Sequence, residues 1–208
     1  MKQALILVDI QNDFLPGGAL AVPDGDAVIT PVNRLIAAFP HVVLTQDWHP
    51  RGHVSFASTH PGRAPFETVE LDHGTQVLWP DHCVQGSPGA GFATGLRADK
   101  AELVIRKGHH RGVDSYSAFL EADRRTPTGL AGALRERGAQ HLYLCGLATD
   151  YCVAWSALDA REAGFAVTVV EDAVRGIAPD SVAAAWTRMG AAGIARTSER
   201  ILTAEPPP

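Results

Sequence analysis

The stretch HLYLCGLATDYCVAWSALDAREAG, His141 to Gly164, decides the fold. Its first seven residues form a nearly continuous apolar run, where a strand with one wet face would alternate. A strand buried on both faces reads this way. Thr149 or Asp150 then serves as the N-cap of a helical segment that stops at Gly164. A buried strand feeding a helix is the repeating unit of a parallel sheet covered on both sides.

The unit recurs in both directions. Further apolar runs are ALILVDI (4–10), HVVLTQDWH (41–49), ELVIRKG (102–108), FAVTVVEDA (165–173) and the shorter AGIARTS (192–198). Helical stretches lie between them. GDAVITPVNRLIAAF (25–39) places Val28, Val32, Leu35, Ile36 and Phe39 on one face, with Pro31 acceptable only in the first turn. TGLAGALRERG (128–138) has Thr128 as a cap, and APDSVAAAWTRMG (178–190) repeats the arrangement. The expected fold is α/β: one three-layer, doubly wound domain over 1–208, with a mainly parallel sheet and helices on both faces. Two regions break the rhythm: a Gly-, Pro- and His-rich insertion over about 48–95, and Gly108 to Pro127. Loops this long in a compact domain are usually functional, and VLWPDHC (77–83) is too apolar to be loose. The tail EPPP, 205–208, is expected to be disordered.

Composition narrows the class. The 208 residues are 46% hydrophobic and 20% charged with a net charge of −5, which fits a soluble globular chain and lacks the basic footprint of a nucleic-acid binder. The first apolar run, Ala4 to Val8, meets Asp9 too soon for a signal peptide or a membrane span, so a cytoplasmic protein is expected. Three cysteines, Cys83, Cys145 and Cys152, with no CxxC, point to free thiols in a reducing compartment. GAGFATG (89–95) is neither GxGxxG nor preceded by a strand, so it is read as turn, not as a dinucleotide loop.

Sites in open α/β sheets form outside the carboxyl ends of the strands. Those ends deliver Asp9, then Asp47 and His49, then Lys107, and finally the turn leading to Cys152. By itself Cys152 fits a nucleophile and a buried filler equally, Lys107 a solvated strand end, and Asp9 a turn residue. Together they form a nucleophile with a carboxylate to hold its proton and a cation to steady it, and a helix start favours the thiolate. The backbone N–H groups of Ala148 to Cys152 offer an oxyanion hole, where each donor is worth about 3 kcal/mol. Cys145, inside an apolar run, is filler. Asp47 and His49, at i and i+2, point to one side of the sheet; with His82, and with His53 nearby, they suit Zn²⁺, Fe²⁺ or Mn²⁺. His60, His73, His109, His110 and His141 fall in no ligand pattern and are read as surface or packing residues.

ALILVDIQNDFLPGGAL, TQDWHPRGHVSFAS, WPDHCVQGSPGAGF, VIRKG, VDSYSAF and CGLATDYCV resemble, in order and spacing, the nicotinamidases of the isochorismatase-like cysteine hydrolases. The resemblance spans about Leu5 to Ala173 and implies a six-stranded parallel sheet. It implies a triad of Asp9, Lys107 and Cys152, a cis Leu147–Ala148 peptide, and an oxyanion hole from the N–H groups of Ala148 and Cys152. It implies one divalent metal ion, zinc first with iron or manganese as alternatives, on Asp47, His49 and His82. His53 stands close by, a ligand in some relatives but here more in keeping with a place behind the ligands. Phe14, Trp79 and Tyr116 match positions that wall a pyridine ring; for Tyr116 an ordinary core aromatic fits too. The implied reaction is hydrolysis of nicotinamide to nicotinate and ammonia through a thioester, with pyrazinamide also accepted. No nucleic-acid or membrane partner is implied, and a homo-oligomer stays open. The rivals are a metal-free isochorismatase or N-carbamoyl amide hydrolase, which would leave Asp47, His49 and His82 without a task, and a ligand-binding protein without turnover.

Overall fold

All six apolar runs are strands of one sheet in the computed structural model, which describes residues 2–204. The expectation for 205–208 lies outside the described residues. In chain order the elements are β1 (Gln3–Val8), α1 (Ile29–Ala38), β2 (Val42–Asp47), β3 (Thr68–Leu71), β4 (Gly74–Val77), β5 (Leu103–Lys107), α2 (Leu130–Glu136), β6 (His141–Leu147), α3 (Ala154–Glu162), β7 (Ala166–Arg175), α4 (Pro179–Ala191), β8 (Ala195–Thr197) and α5 (Glu199–Ala204). The sheet order is β5-β2-β1-β6-β7-β8, and every pairing in it is parallel. The order reverses between β1 and β6, so the crevice beyond their carboxyl ends is where a ligand belongs.

Period-two alternation explains the continuous apolar runs. Ala4, Ile6 and Val8 of β1 enter one core cluster with Leu142 and Leu144 of β6, beneath Leu130, Leu134, Ala157 and Met189 of α2, α3 and α4. Leu5 and Leu7 enter the other with Tyr143 and Cys145, beneath Val32, Leu35 and Ile36 of α1 and Leu202 of α5. Neither face of these strands touches water, so neither face is polar. Pro31 is the third residue of α1, where its missing N–H costs no helical hydrogen bond.

One cap and one helix differ from expectation. Neither Thr149 nor Asp150 caps its own helix, which begins as one wide π turn over 149–153 before α3. The buried Asp150 carboxylate instead accepts from Ile177 N–H (3.0 Å), Ala178 N–H (3.3 Å) and Ser181 Oγ–H (2.5 Å), and so caps α4 across the fold. Helix α5 was not expected; it is seated by Asp172, whose carboxylate accepts Glu199 N–H at 2.8 Å, and by the Arg34–Glu199 ion pair at 2.9 Å. Thr128 does hold the start of α2, accepting Leu130 N–H at 3.2 Å.

The insertion contains the antiparallel β3–β4 hairpin and folds back onto the strand ends through bridges pairing His49 with Val84, Phe56 with Trp79 and Gln11 with Phe92. Among the described residues no helix is long and apolar enough to cross a membrane.

Candidate active site

Strand ends place the reacting groups. Asp9 follows β1 in a left-handed conformation with φ 46°, a backbone state that non-glycine residues hold mainly where the surroundings impose it. Lys107 ends β5 with no exposed surface, and its Nζ lies 3.0 Å from Asp9 Oδ2, 3.0 Å from Asp47 Oδ1, 2.8 Å from Ser115 O and 3.4 Å from Cys152 Sγ. The ammonium is thus the hub of the site. Its approach to Asp9 Oδ2 is off the line of a good hydrogen bond, and no other described group donates to that oxygen. Asp9 Oδ1 accepts the Thr45 hydroxyl at 2.5 Å, and Thr45 Oγ accepts Asp9 N–H at 3.1 Å. One carboxylate oxygen is therefore anchored, and the other is left to take a proton.

Cys152 is brought beside Lys107 by the turn after β6. At Gly146 that strand runs so close to β1 that a Cβ would sit 2.8 Å from Val8 N, which only glycine permits. The Leu147–Ala148 peptide is cis, and Ala148 O accepts the N–H groups of Tyr151 and Val153 at 3.1 Å each. The expected tilt toward thiolate is not what the surroundings produce. Burial pushes the Cys152 thiol well above its ordinary value; Lys107 opposes this, while the Asp9 and Asp47 carboxylates add to it. Burial also raises the Asp9 carboxyl, against the pull of Lys107. Lys107 would lose its proton through burial alone, but Asp47 and Asp9 hold it as the ammonium. Cys145 and Cys83 are buried free thiols, both pushed up by burial.

Asp47, His49 and His82, all buried, offer three donor atoms at one point. His49 Nδ1 is 2.9 Å from Gly108 O and His82 Nδ1 is 2.8 Å from Pro80 O. A carbonyl oxygen only accepts, so each Nδ1 donates to it and each ring turns its Nε2 toward Asp47; burial lowers the His49 pKa, but the Asp47 carboxylate outweighs burial and raises it. Those nitrogens lie 3.1 Å and 3.4 Å from Asp47 Oδ2. Burial alone would raise the Asp47 carboxyl, yet His49 and Lys107 hold it well below the usual range. Two imidazole Nε2 atoms and a carboxylate facing one another are a donor set that suits a divalent cation of the zinc class. His53 is placed differently. Its ring lies against His49, tilted by 31° at 4.2 Å between centroids, its Nδ1 accepts Ser55 N–H at 3.3 Å, and its Nε2 donates to Val113 O at 3.1 Å. Neither nitrogen is left over, and burial lowers its pKa to about 4, so the ring is neutral. His60 and His141 are packing residues, bonded to Val54 O and Thr168 Oγ1.

A narrow, partly open cleft joins the two groups, with Phe14, Trp79, His82, Tyr116, Ala148 and Cys152 among its walls. Trp79 Nε1–H donates to Tyr116 Oη at 3.1 Å, and Tyr151 meets Trp79 edge to face at 5.0 Å. Several polar residues escaped sequence reasoning. Gln11 clamps the end of β2, accepting Asp47 N–H (2.8 Å) and donating to Asp47 O and Ala90 O (2.9 Å each). Gln76, from the hairpin, donates to Asp114 Oδ2 at 2.8 Å, and Asp114 Oδ1 lies 4.0 Å from His49 Nε2. The available signal was a polar residue inside or just after an apolar run, as with Thr45 and Gln11.

Comparison with known proteins agrees with this geometry. The isochorismatase domain model matches residues 3–200. The chain is 53% identical over 205 residues to the curated nicotinamidase of Acinetobacter baylyi, covering 96% of each. It superposes on a nicotinamidase/pyrazinamidase of Acinetobacter baumanii with TM-score 0.95 at 53% identity, covering 97% and 98% of the two chains. A pyrazinamidase of Pyrococcus horikoshii in complex with zinc matches with TM-score 0.79 at 39% identity, covering 95% and 99%. A six-stranded parallel sheet, a family model spanning nearly the whole chain and relatives this similar lead to one conclusion: the chain belongs to the isochorismatase family.

Proposed function

We propose that the protein is a nicotinamidase, a metal-dependent cysteine amidohydrolase that converts nicotinamide and water to nicotinate and ammonia, with pyrazinamide as a second substrate. The names of its relatives support the substrate class. The observation that carries the chemistry is Cys152 Sγ at 3.4 Å from Lys107 Nζ, itself 3.0 Å from Asp9 Oδ2, at the wall of an aromatic-lined cleft.

Cys152 Sγ attacks the carboxamide carbon as its proton passes to Asp9. The raised pKa values of both groups keep that proton between them and make the neutral thiol the resting form. The developing oxyanion is met by the N–H groups of Ala148 and Cys152. Asp9 returns the proton to the nitrogen, the C–N bond breaks and ammonia leaves. Asp9 then accepts a proton from water as it adds to the thioester, and nicotinate departs with Cys152 again a thiol. Lys107 stays an ammonium throughout, holding Asp9 and Asp47 at fixed distance. Phe14, Trp79 and Tyr116 flank the pyridine ring and exclude water. Asp47, His49 and His82 would hold a divalent ion, zinc first, which when bound supplies a fixed Lewis-acid point for the ring nitrogen. Buried free thiols suit the reducing interior of a cell.

Ammonia release from nicotinamide tests the reading. Cys152→Ala should abolish it while zinc content is unchanged, and chelation of the wild type should remove activity that added metal restores. Turnover by Cys152→Ala would overturn the covalent step; full activity in metal-free protein would overturn the metal's role and favour the metal-free relatives.

A further inference from the structure

We propose that His109, His110 and Glu121 form a second site for a divalent transition-metal ion, separate from Asp47, His49 and His82. The sequence hides it: the histidines are adjacent and their partner lies on the far side of a loop. In the fold, one donor atom from each of the three lies within 4.8 Å of the others. The imidazole centroids lie 4.0 Å apart with their planes tilted by 40°, and His109 Nδ1 is 3.9 Å from Glu121 Oε1.

Glu121 is the independent sign of a ligand. Its side chain is 1% exposed, and both carboxylate oxygens are buried without a hydrogen-bond donor among the described residues. Buried carboxylates left so are rare, because the lost hydration must be replaced by a proton or a cation. Zinc bonds to imidazole nitrogen and carboxylate oxygen are about 2.0–2.2 Å, so donors bridged at a tetrahedral angle stand roughly 3.4 Å apart. His109, with 44% of its side chain exposed, needs only a small inward turn to close from 3.9 Å. Two imidazoles and one carboxylate, with the outer side open to water, select a borderline ion such as Zn²⁺ over Mg²⁺ or Ca²⁺, which prefer all-oxygen shells. Lys107, which pulls against the effect of burial on the Glu121 carboxyl, is itself already paired with Asp9 and Asp47.

Occupancy would staple a loop. His109 and His110 directly follow β5, while Glu121 closes the segment that carries Asp114, Ser115 and Tyr116 past the cleft, with Ala122 N–H donating to Asp114 O at 2.7 Å. An ion there ties both ends of that segment together.

The test compares tag-free, chelator-stripped wild type with a His109→Ala/His110→Ala variant, both positions being exposed. Zinc is titrated into each by calorimetry, and amide exchange of 108–122 is followed with and without zinc. The wild type is expected to bind one ion more per chain than the variant and to gain exchange protection in 108–122 that the variant does not. Glu121→Gln, which leaves both histidines in place, is expected to weaken the same step at least about tenfold. Equal zinc counts in wild type and variant would overturn the proposal. Because the readout is a difference, it stands apart from the first site: should Asp47, His49 and His82 bind nothing, the difference of one ion would persist.

Discussion

Gly108→Ala tests the geometry of the proposed metal site at Asp47, His49 and His82 without removing any of the three. Gly108 has φ +63°, and a Cβ built there falls 2.5 Å from His49 Cε1, 2.7 Å from His49 Nδ1 and 3.2 Å from Asp47 Oδ1. Alanine in the left-handed region costs about 1–2 kcal/mol. Relieving the contact means pushing the imidazole outward by roughly 1 Å to reach ordinary van der Waals separation, an overpacking cost of about 1–3 kcal/mol. The shift also stretches the Nδ1–H bond to Gly108 O, now 2.9 Å, worth about 1 kcal/mol. Together these come to about 3–6 kcal/mol, or a fall in Tm of roughly 6–24 °C for a chain of this size. Because that bond orients Nε2, zinc affinity should drop about 10- to 100-fold although Asp47, His49 and His82 are all present. Urea unfolding of the metal-free protein measures the first effect and competitive zinc titration the second. A loss under about 1 kcal/mol together with unaltered zinc affinity would refute the account of Gly108.

Other expectations follow from single contacts. Lys107→Met leaves the Asp9 and Asp47 carboxylates buried without their cation and should destabilise the metal-free protein by about 3–5 kcal/mol in urea; a neutral result would mean the hub is not an ion cluster. Asp150→Ala removes three acceptor contacts at the start of α4 and should cost about 1–2 kcal/mol by thermal melting, with Asp150→Asn recovering part; equal losses for both would exclude capping as the cause. Asp123 is held down to about 2 by Thr126 N–H, Arg125 N–H and the Thr126 hydroxyl. Its folded pKa is the lower one, so its contribution is complete above the ordinary carboxylate value and disappears as pH falls through about 2. The stability gap between wild type and Asp123→Ala should therefore be level from pH 7 to pH 5 and close on the way to pH 2; a gap unchanged at pH 2 would contradict this.

By itself the amino-acid order determined the layer architecture and the list of strand ends. Burial on both faces writes itself as an uninterrupted apolar run, and parallel strands must return through helices, so β1, β2, β5, β6, β7 and β8 were all legible. With them came Asp9, Asp47, His49 and Lys107 as candidates, because each directly ends or follows such a run. Caps were less legible. Asp150 was assigned to its own helix because a sequence window sees only neighbours, whereas its carboxylate satisfies N–H groups about 27 residues away in the chain, beyond β7. Helix α5, with six residues, has too little periodicity to show and exists through Asp172 and Arg34.

Which groups surround the thiol, and which donor atoms face one another, is visible only in the tertiary structure. Cys152 at a helix start reads locally as a thiolate, but burial beside two carboxylates makes it a thiol, and that sign depends on groups from three strands. His53 and His82 are equally plausible donors by residue type, yet carbonyl and hydroxyl partners consume both nitrogens of one and only one nitrogen of the other. His109, His110 and Glu121 carried no ligand spacing at all until the loop brought them together. Periodicity is a property of neighbours along the chain. Electrostatics and coordination depend on which groups share a few cubic ångströms, and that is decided when the chain closes on itself.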